Sequence, residues 1–527
     1  MNIAEILCRH AATSPDAPAI RDVKGGLPRT LTFRELETLA ARAASFLRSQ
    51  GLGPADRILV LQPMSAELYV ALIAIFRIGA VAMFLDPSAG REHIERCCAI
   101  APPSALLAGA KAHVLRFVSR ALRRIPRKIS IGTALPGASS WNHISEHAPN
   151  PAIYSAEADT PALLTFTSGS TGEPKAAMRT HGFLLAQHQA LADALRLGPG
   201  DLDLATLPIF VLANLGSGAS TLIPDADLRR PGQIKSAALV KQIAAHKPVS
   251  TAASPALCER IADHCIATGT LLINFRKIFV GGAPVFPRVL RKLQKIAPCA
   301  EIVAVYGSTE AEPIAEISAA SISEADYRAM ESGRGLLTGP PVPAIRLRVI
   351  PDQWGTSITR LETAQFDAAS LPPGEIGEIV VSGVHVLHSY WGGTGDHETK
   401  FRVGAAVWHR TGDAGYLDRS GRLWLLGRCS ARVSDRRGQL YPFAVECAAS
   451  SEVGLRRAAF VGHQDRRILF LEPERDINSD DLTARLRSSL SWAAIDDFRL
   501  VHRIPVDARH NAKVNFTELL RMISRTG

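Results

Sequence analysis

The sequence predicts an α/β protein whose sheets are mostly parallel, with a more β-rich part later in the chain. Short apolar strands alternate with segments of helical periodicity, the pattern of parallel strands joined by crossover helices. The 527 residues exceed what one hydrophobic core usually holds, so two or more domains are expected. A hydrophobic content of 46% with 21% charged residues is that of a globular protein.

The predicted elements begin with a helix over residues 34–50, which places Leu36, Leu39 and Leu47 on one side and ends at Gly51. The elements predicted after it are, in chain order, strand 57–61, helix 67–78, strand 80–85, helix 237–246, strand 277–280, helix 287–297, strand 301–305 and strand 375–382. Residues 132–159 are rich in Ala, Pro, Ser and His, and we predict that they form a surface loop.

The segment from Leu164 to His181 has the composition of a phosphate-binding loop. An apolar run ends at Phe166, and six small or hydroxyl-bearing residues follow: Thr167, Ser168, Gly169, Ser170, Thr171 and Gly172. Such residues let backbone N–H groups turn towards an anion and add hydroxyl donors, and Lys175 adds a mobile positive charge. The Gly-Lys-Ser/Thr ending of a Walker loop is missing. We expect the segment to hold a polyphosphate; the alternative is a flexible surface loop.

The balance of charge is basic, with a net charge of +10 and a pI near 9.3. It suits anionic partners such as ATP, pyrophosphate, CoA or an acidic carrier protein, and it would suit nucleic acid or an anionic membrane equally well. No run of Lys and Arg interleaved with aromatic residues stands out, so we expect no nucleic-acid partner. A merely solvated surface is the simplest alternative.

The eight cysteines form no C-x-x-C pair, which is typical of a reducing compartment, and we expect a cytoplasmic protein. Cys258, His264 and Cys265 lack a fourth ligand at a suitable spacing, so they do not predict a zinc site. The N-terminal segment does not have the pattern of a signal peptide. Residues 58–84 are the most apolar region, but proline and charged residues interrupt them, so we expect no membrane span there.

Further short motifs are distributed along nearly the whole chain. They are LTFREL at 31–36, ALIAIFRIGAVAMFLDP at 71–87, GGAP at 281–284, YGSTE at 306–310, HRTGDAGYL at 409–417, GR at 427–428 and a lysine, Lys513, near the C-terminal end. Together with TSGSTGEPK at 167–175, they resemble the adenylate-forming superfamily of acyl-CoA ligases, luciferases and peptide-synthetase adenylation domains.

The resemblance implies an adenylation domain over residues 1–428 and a small α+β lid domain over residues 429–527. In this superfamily the lid rotates between two poses about a hinge that is usually Asp or Lys. Here the hinge position is Ser430, a departure that leaves the rotation with less support.

The resemblance also implies which residues hold ATP. They are Thr167, Ser168, Gly169, Ser170, Thr171, Gly172 and Lys175 at the β- and γ-phosphates, Gly281, Gly282, Ala283 and Pro284 beside the adenine, Tyr306, Gly307 and Ser308 in the YGSTE motif, and Asp413 and Arg428 at the ribose. Tyr306 would stack on adenine, and Asp413 would accept both ribose hydroxyls with help from Arg428. Taken singly, Tyr306 could be a core aromatic and Asp413 a turn residue.

Three residues are implied to act in catalysis. Thr309 would contact the α-phosphate, Glu310 would bind Mg²⁺ together with Thr167, and Lys513 would bridge the substrate carboxylate and the α-phosphate. A carboxylate is the hard oxygen ligand that Mg²⁺ prefers. The alternatives are a solvated glutamate at 310 and a solvent-facing lysine at 513.

The reaction implied is the ATP- and Mg²⁺-dependent activation of a small carboxylic acid to an acyl adenylate, with release of pyrophosphate. The segment from Phe210 to Leu215 is apolar, which favours a fatty or 3-hydroxy fatty acid, although core packing would explain it as well. Val211 stands where many CoA ligases carry His.

Two second steps stay open after adenylation. LPIFVLANLGSGASTLIPD at 207–225, YGSTEAEPIA at 306–315 and PVDARHNAK at 505–513 resemble the fatty-acid-CoA-ligase-like subgroup, which includes β-lactone synthetases of bacterial olefin biosynthesis. The acyl group would therefore pass to CoA or another thiol, such as an acyl carrier protein, or a 3-hydroxyacyl adenylate would close to a lactone. A non-catalytic nucleotide-binding protein is the third possibility. The residues that argue against it are all intact: Lys175, Glu310, Asp413 and Lys513.

Overall fold

The structure, a computed structural model, describes residues 1–168, 173–474, 477–506 and 513–526. The chain divides into two compact units. The first comprises Met1–Leu228, Ala245–Ala252 and Val384–Asp396, and the second comprises Arg229–Ala244, Ala253–Gly383 and His397–Gly527. Within the described ranges, no helix is both long and apolar enough to cross a membrane.

The first unit contains mostly parallel strands. They are β1 (Pro18–Lys24), β2 (Leu27–Thr32), β3 (Arg57–Leu61), β4 (Val81–Phe84), β5 (Ala105–Gly109), β6 (Arg127–Ile131), β7 (Ser139–Ser140), β8 (Pro161–Ser168), β9 (Pro174–Thr180), β10 (Leu202–Ala205), β11 (Ser220–Leu222) and β12 (Ser250–Ala253). One sheet has the order β7-β6-β5-β3-β4-β8-β9, in which only the pair β8–β9 is antiparallel. Elsewhere β12, β10, β11 and β1 are parallel neighbours, and β2 pairs antiparallel with β1.

The helices of the first unit connect and cover these strands. They are α1 (Ile3–Cys8), α2 (His10–Thr13), α3 (Phe33–Ser49), α4 (Ala66–Arg77), α5 (Arg91–Ile100), α6 (Ala110–His113), α7 (Leu115–Val118), α8 (Arg120–Arg124), α9 (His181–Leu195) and α10 (Pro208–Ser217). Helix α3 begins with a capping box, because the Thr32 side chain accepts from the Glu35 N–H and the Glu35 carboxylate accepts from the Thr32 N–H. Its apolar side packs against α4, which is apolar all round and buried along nearly its whole length.

The second unit is richer in antiparallel sheet. Its strands are β13 (Lys277–Val280), β14 (Glu301–Ser308), β15 (Ala311–Ser318), β16 (Leu336–Gly339), β17 (Ile345–Ile350), β18 (Arg360–Leu361), β19 (Gly377–Gly383), β20 (Lys400–Val403), β21 (Ala406–Leu417), β22 (Leu423–Arg428), β23 (Val433–Asp435), β24 (Gly438–Leu440), β25 (Leu455–His463), β26 (Arg466–Pro473) and β27 (Asp497–Leu500). Strands β13 and β14 are parallel, and β15 returns antiparallel to β14. A larger sheet has the order β16-β22-β21-β19-β17, with β20 beside β21, and a smaller sheet has the order β25-β26-β27.

The remaining helices are α11 (Ser236–His246), α12 (Pro255–Thr268), α13 (Pro287–Ile296), α14 (Glu324–Ala329), α15 (Thr363–Ala369), α16 (Asp396–Thr399), α17 (Pro442–Ala449), α18 (Ser479–Ser489) and α19 (Phe516–Thr526). Helices α11 and α16 and strand β12 contain residues of both units.

The predicted fold class is confirmed, with parallel sheets early in the chain and antiparallel sheet later. The strand predicted over 277–280 has those bounds, and the helix predicted over 34–50 is found at Phe33–Ser49. The prediction of a loop over 132–159 is wrong in part, because the segment contains β7 and a 3₁₀ turn at Trp141–Glu146. Trp141 is buried there and meets Phe46 edge to face, with ring centroids 6.1 Å apart. One large aromatic side chain anchors a segment whose average composition is that of a loop.

A buried ion pair crosses the larger sheet of the second unit. Arg410 on β21 and Glu378 on β19 have side chains that are 1% and 0% exposed. The guanidinium donates from Nε to Oε1 at 2.9 Å and from Nη2 to Oε2 at 2.6 Å, so the pair is bidentate. Burial raises the pKa of Glu378, and Arg410 opposes that shift.

We expect Glu378→Gln to lower the free energy of unfolding by about 3–5 kcal/mol, because it leaves the Arg410 charge buried without its counter-charge. Urea denaturation against wild type measures the loss. The matched control is Glu362→Gln, since Glu362 and Arg360 form an exposed pair at 3.9 Å whose loss should cost no more than about 1 kcal/mol. Equal stabilities of the two variants would contradict the prediction.

Candidate functional site

The YGSTE motif lies at the tip of a hairpin in the second unit. Tyr306, Gly307 and Ser308 end strand β14, and Ser308 stands opposite Ala311, the first residue of β15. Thr309 and Glu310 are therefore the two residues of the connecting turn. Strand β14 thus fixes the stem of the motif, and the turn presents its two implied catalytic residues.

The GGAP motif lies at the same edge of this sheet. It follows β13, and because β13 and β14 are parallel, their carboxyl ends meet at one edge. Gly281 packs closely there, since a Cβ on it would lie 3.0 Å from the Val305 carbonyl oxygen. Gly282 has a φ of +81°, which favours glycine. Backbone packing within the fold therefore explains glycine at 281, and the adenine role of Gly281–Pro284 stays a prediction.

Tyr306, Asp413 and Arg428 are joined by a hydrogen bond and an ion pair, and they are called here the ribose group after their predicted role. The Tyr306 hydroxyl donates to Asp413 Oδ2 at 2.8 Å, and Arg428 Nε lies 3.3 Å from Asp413 Oδ1. Asp413 and Arg428 are direct partners on the neighbouring strands β21 and β22. Arg428 Nη1 also donates to the Thr411 carbonyl oxygen at 3.0 Å. The structure therefore brings together the three residues predicted for adenine and ribose.

The electrostatics of the ribose group keep Tyr306 neutral and Arg428 charged. Burial, reinforced by the Asp413 carboxylate, raises the pKa of Tyr306 well above its ordinary value, so the phenol stays a neutral donor. The Asp413 carboxylate is the main cause of a raised pKa at Arg428. The Asp413 side chain is 13% exposed and that of Arg428 is 51% exposed, so one face of the group meets solvent.

Two residues that the sequence analysis missed lie near Glu310. Lys400 on β20 and His409 on β21 are direct cross-strand partners, and both are buried. Burial, reinforced by the Lys400 charge, lowers the pKa of His409 to about 3, while Glu310 acts in the opposite direction. His409 is therefore neutral at physiological pH. The charge of Glu310 also contributes to the raised pKa of Arg428, which places the turn glutamate within electrostatic reach of the ribose group.

Ser308 adds an available hydroxyl at the hairpin tip. Its Oγ is buried, and no described residue forms a hydrogen bond with it. A buried hydroxyl without a partner is costly unless a ligand or water completes it. The donor set at this edge, with the Ser308 hydroxyl, the neighbouring turn and the Glu310 carboxylate, fits a phosphate and its hard cation.

In the first unit, Thr167 and Lys175 stand opposite each other where β8 and β9 meet the predicted phosphate loop. Gly169, Ser170, Thr171 and Gly172 lie outside the described residues. Ser168 is the last residue of β8 and pairs with Pro174. The β8–β9 hairpin thus defines the two ends of the predicted phosphate loop. The phosphate-binding role of the loop residues stays a prediction.

Lys175 is buried, with 5% of its surface exposed, and its phosphate role stays a prediction. Its Nζ lies 5.9 Å from the centroid of the Tyr390 ring, and its Cδ and Cε would lie 2.7 Å from a Cβ on Gly395. The segment carrying these two residues is itself tied down, since Tyr390 N–H donates to Asp396 Oδ1 at 2.9 Å. The aliphatic stem of the lysine is therefore held along a defined path.

Lys513 is exposed and directly follows residues 507–512, which lie outside the described residues. Its neighbour Val514 forms a β-bridge with Val506. The catalytic role of Lys513, like that of Thr309, stays a prediction.

Three side chains of the apolar segment predicted to face the acyl group pack in or against a hydrophobic core. Val211 and Leu215 belong to the main hydrophobic core of the first unit. Core packing therefore explains these two side chains. Leu212 is only partly buried and packs against the outside of that core.

Comparisons with known proteins agree with this geometry. A family model described as AMP-binding enzyme matches residues 7–391. The olefin beta-lactone synthetase of Stenotrophomonas maltophilia is 31% identical over 546 residues, covering 98% of this chain and 97% of that protein. The indoleacetate–CoA ligase of Aromatoleum aromaticum is 27% identical and covers 89% and 86%. The crystal structure of an anthranilate CoA ligase in complex with anthranoyl-AMP has a TM-score of 0.83 at 18% identity, covering 100% and 98%.

The fold and these likenesses define an adenylate-forming ligase, an enzyme that activates a carboxylic acid as its adenylate. The chain belongs to the AMP-binding enzyme family, because the model of that family matches residues 7–391, well over half of the chain. The family and the enzyme class predicted from the motifs are confirmed, while the roles of single residues stay predictions.

Proposed function

We propose that this enzyme uses ATP and Mg²⁺ to activate a 3-hydroxy fatty acid and then closes the acyl adenylate to a β-lactone. The observation that carries the second step is the likeness to an olefin beta-lactone synthetase, which extends over 98% of this chain at 31% identity. The adenylation step has support of its own, because the ribose group and the buried Ser308 hydroxyl supply polar partners that a nucleotide needs.

In the proposed first step, Asp413 accepts the two ribose hydroxyls, and the Tyr306 ring lies against the adenine. ATP supplies an electrophilic α-phosphorus with pyrophosphate as the leaving group, and Glu310 would hold the Mg²⁺ that neutralises phosphate charge. A substrate carboxylate oxygen attacks the α-phosphorus, and the bond to pyrophosphate breaks. Lys513 is proposed to stabilise the charge that develops between the two reactants.

In the proposed second step, the substrate's own 3-hydroxyl oxygen attacks the carbonyl carbon of the acyl adenylate. The bond from that carbon to the AMP oxygen breaks, AMP leaves, and the hydroxyl proton passes to solvent. No CoA is consumed. The step is intramolecular, so holding the hydroxyl near the carbonyl lowers its entropic cost.

We also propose the division into an adenylation domain over residues 1–428 and a lid over residues 429–527. Its support is that residues after Arg428 contain two hydrophobic clusters of their own, one from Val433 to Ala493 and one from Ala459 to Ile523. A cytoplasmic location is proposed as well, since all eight cysteines are free thiols.

We expect the enzyme, given ATP, Mg²⁺ and a 3-hydroxy fatty acid without any thiol, to release a product lighter than the acid by one water, together with AMP. The matched control is the fatty acid of equal length without the 3-hydroxyl, which should release AMP at least about tenfold more slowly because it has no internal nucleophile. Mass spectrometry of the product and quantification of AMP are the measurements.

The competing second step is transfer to CoA or a carrier protein, favoured by the likeness to a CoA ligase. Turnover that begins only when CoA or a carrier is added would eliminate lactone closure and leave that ligase. Acid-dependent exchange between pyrophosphate and ATP tests the first step separately, because a non-catalytic nucleotide-binding protein would show none.

A further inference from the structure

A basic segment of the first unit has no function in the proposed reaction. Residues 110–128 contain seven Lys and Arg residues, and no Asp or Glu occurs between Glu95 and Glu146. The segment forms the three short helices α6, α7 and α8, followed by strand β6. Phe117 is the only Phe, Tyr or Trp in residues 110–128. The segment therefore lacks the interleaving of basic and aromatic residues that would predict nucleic-acid binding.

The inner side of the segment is firmly attached to the fold. Leu115 packs against a core cluster that includes Leu122 and Ile125 from the same segment. The Ser119 hydroxyl donates to Glu95 Oε1 at 2.8 Å, and Glu95 also accepts from a backbone N–H of α8. The helices are therefore a fixed part of the unit, and their outer side is presented on a rigid base.

The outer side carries three apolar side chains that the fold leaves in solvent. Val114 is 59% exposed, Phe117 is 82% exposed and Val118 is 54% exposed. Their spacing of i, i+3 and i+4 places them on one face of the turn formed by α6 and α7. Exposed apolar side chains are common singly, but three on one face make a patch that points to a binding partner.

Exposed cationic side chains flank this patch in the sequence. Lys111, Arg120, Arg123 and Arg124 are all exposed. The Arg123 guanidinium donates to the carbonyl oxygens of Arg116 at 3.4 Å and Phe117 at 3.3 Å, which holds its charge beside the aromatic residue. We call this surface the basic apolar tip; its members are Val114, Phe117, Val118, Lys111, Arg120, Arg123 and Arg124.

We propose that the basic apolar tip binds the surface of an anionic lipid bilayer. Exposed apolar side chains, flanked in the sequence by exposed cationic side chains, match the layering of a bilayer interface, in which acyl chains lie beneath anionic headgroups. Nucleic acid would match the charges but leave the three apolar side chains in water. A folded acidic protein would need a pocket shaped for Phe117, whereas a bilayer deforms around it. The binding is independent of the proposed substrate and second step.

The test is sedimentation of the full-length protein with vesicles of phosphatidylcholine and phosphatidylglycerol, compared with vesicles of phosphatidylcholine alone. We expect binding to the anionic vesicles only, weakened by high salt because salt screens the arginine charges. Arg120→Gln/Arg124→Gln should lower the partition coefficient about 25-fold, since each cation near such a surface contributes about fivefold. Phe117→Ser/Val118→Ser should lower it at least about tenfold through the lost apolar insertion.

Matched controls separate the tip from surface charge and surface hydrophobicity in general. Arg328→Gln/Arg419→Gln removes two exposed arginines elsewhere, and Leu27→Ser/Val453→Ser removes two side chains that are 72% and 80% exposed. Both controls should bind vesicles as wild type does, and all variants should keep the wild-type thermal melt. Wild-type protein that fails to sediment with anionic vesicles at low salt would overturn the proposal. So would tip variants that bind like their controls, or wild-type protein that binds DNA or an acidic protein but no vesicle.

Discussion

Asp413→Ala is expected to weaken ATP binding by a factor of about 100 to 10,000. A carboxylate that accepts both ribose hydroxyls makes two charge-assisted hydrogen bonds, each worth about 1.5–3 kcal/mol, and each 1.4 kcal/mol is about tenfold in affinity. In the ribose group, Asp413 already accepts from Tyr306 at 2.8 Å and faces Arg428 at 3.3 Å, so the carboxylate is oriented before the nucleotide arrives. Calorimetric titration of ATP into the folded variant measures the effect.

A matched control variant makes this result specific. Asp418→Ala removes another arginine-paired carboxylate, one that accepts from Arg422 at 2.8 Å and from the Trp424 indole at 3.1 Å. This substitution should change the free energy of unfolding and leave the affinity for ATP near the wild-type value. If Asp413→Ala bound ATP as tightly as Asp418→Ala, the ribose role would be refuted.

Lys513→Ala is expected to slow acyl adenylate formation by at least about a hundredfold while ATP still binds. The proposed role of this lysine is to stabilise charge that appears only in the transition state, so its loss should fall on the rate and not on affinity. Exchange of pyrophosphate into ATP measures the rate, and nucleotide titration measures affinity in the same preparation.

The control for Lys513→Ala is Lys295→Ala, which removes an exposed lysine from the last turn of α13 in the same unit. Because Lys513 is exposed, its truncation should leave the melting temperature close to that of wild type. An exchange rate equal to that of the Lys295 variant would show that Lys513 does not act in adenylation.

The fold was largely predictable because periodicity and turn residues act locally. The strand at Lys277–Val280 is a short apolar run closed by Gly281 and Gly282, and both its existence and its bounds follow from four residues and their neighbours. The prediction failed where one side chain outweighed the composition around it. Trp141 buries itself within a segment rich in small and polar residues, and no local average reveals that.

The site was predictable as a set of residues but not as an arrangement. The motifs named Tyr306, Asp413 and Arg428, yet the hydrogen bond between Tyr306 and Asp413 joins positions 107 residues apart and depends on how whole sheets pack. The sequence did not reveal the pairing of Lys400 with His409 for the same reason, because that pairing depends on the register between β20 and β21. Val211 shows the opposite error, in which apolar character that suggested a ligand pocket belongs to the core.

The packing of Lys175 against Gly395 couples two positions that are distant in the chain. Any L-residue at 395 would have to adopt a φ of +92° and would press a Cβ to within 2.7 Å of the lysine stem. A substitution of Gly395 would therefore displace the Lys175 side chain, although residue 175 itself would be unchanged. The backbone conformation alone thus favours glycine at 395, and the lysine stem fills the space where a side chain would stand, so the path of Lys175 depends on a residue 220 positions away having none.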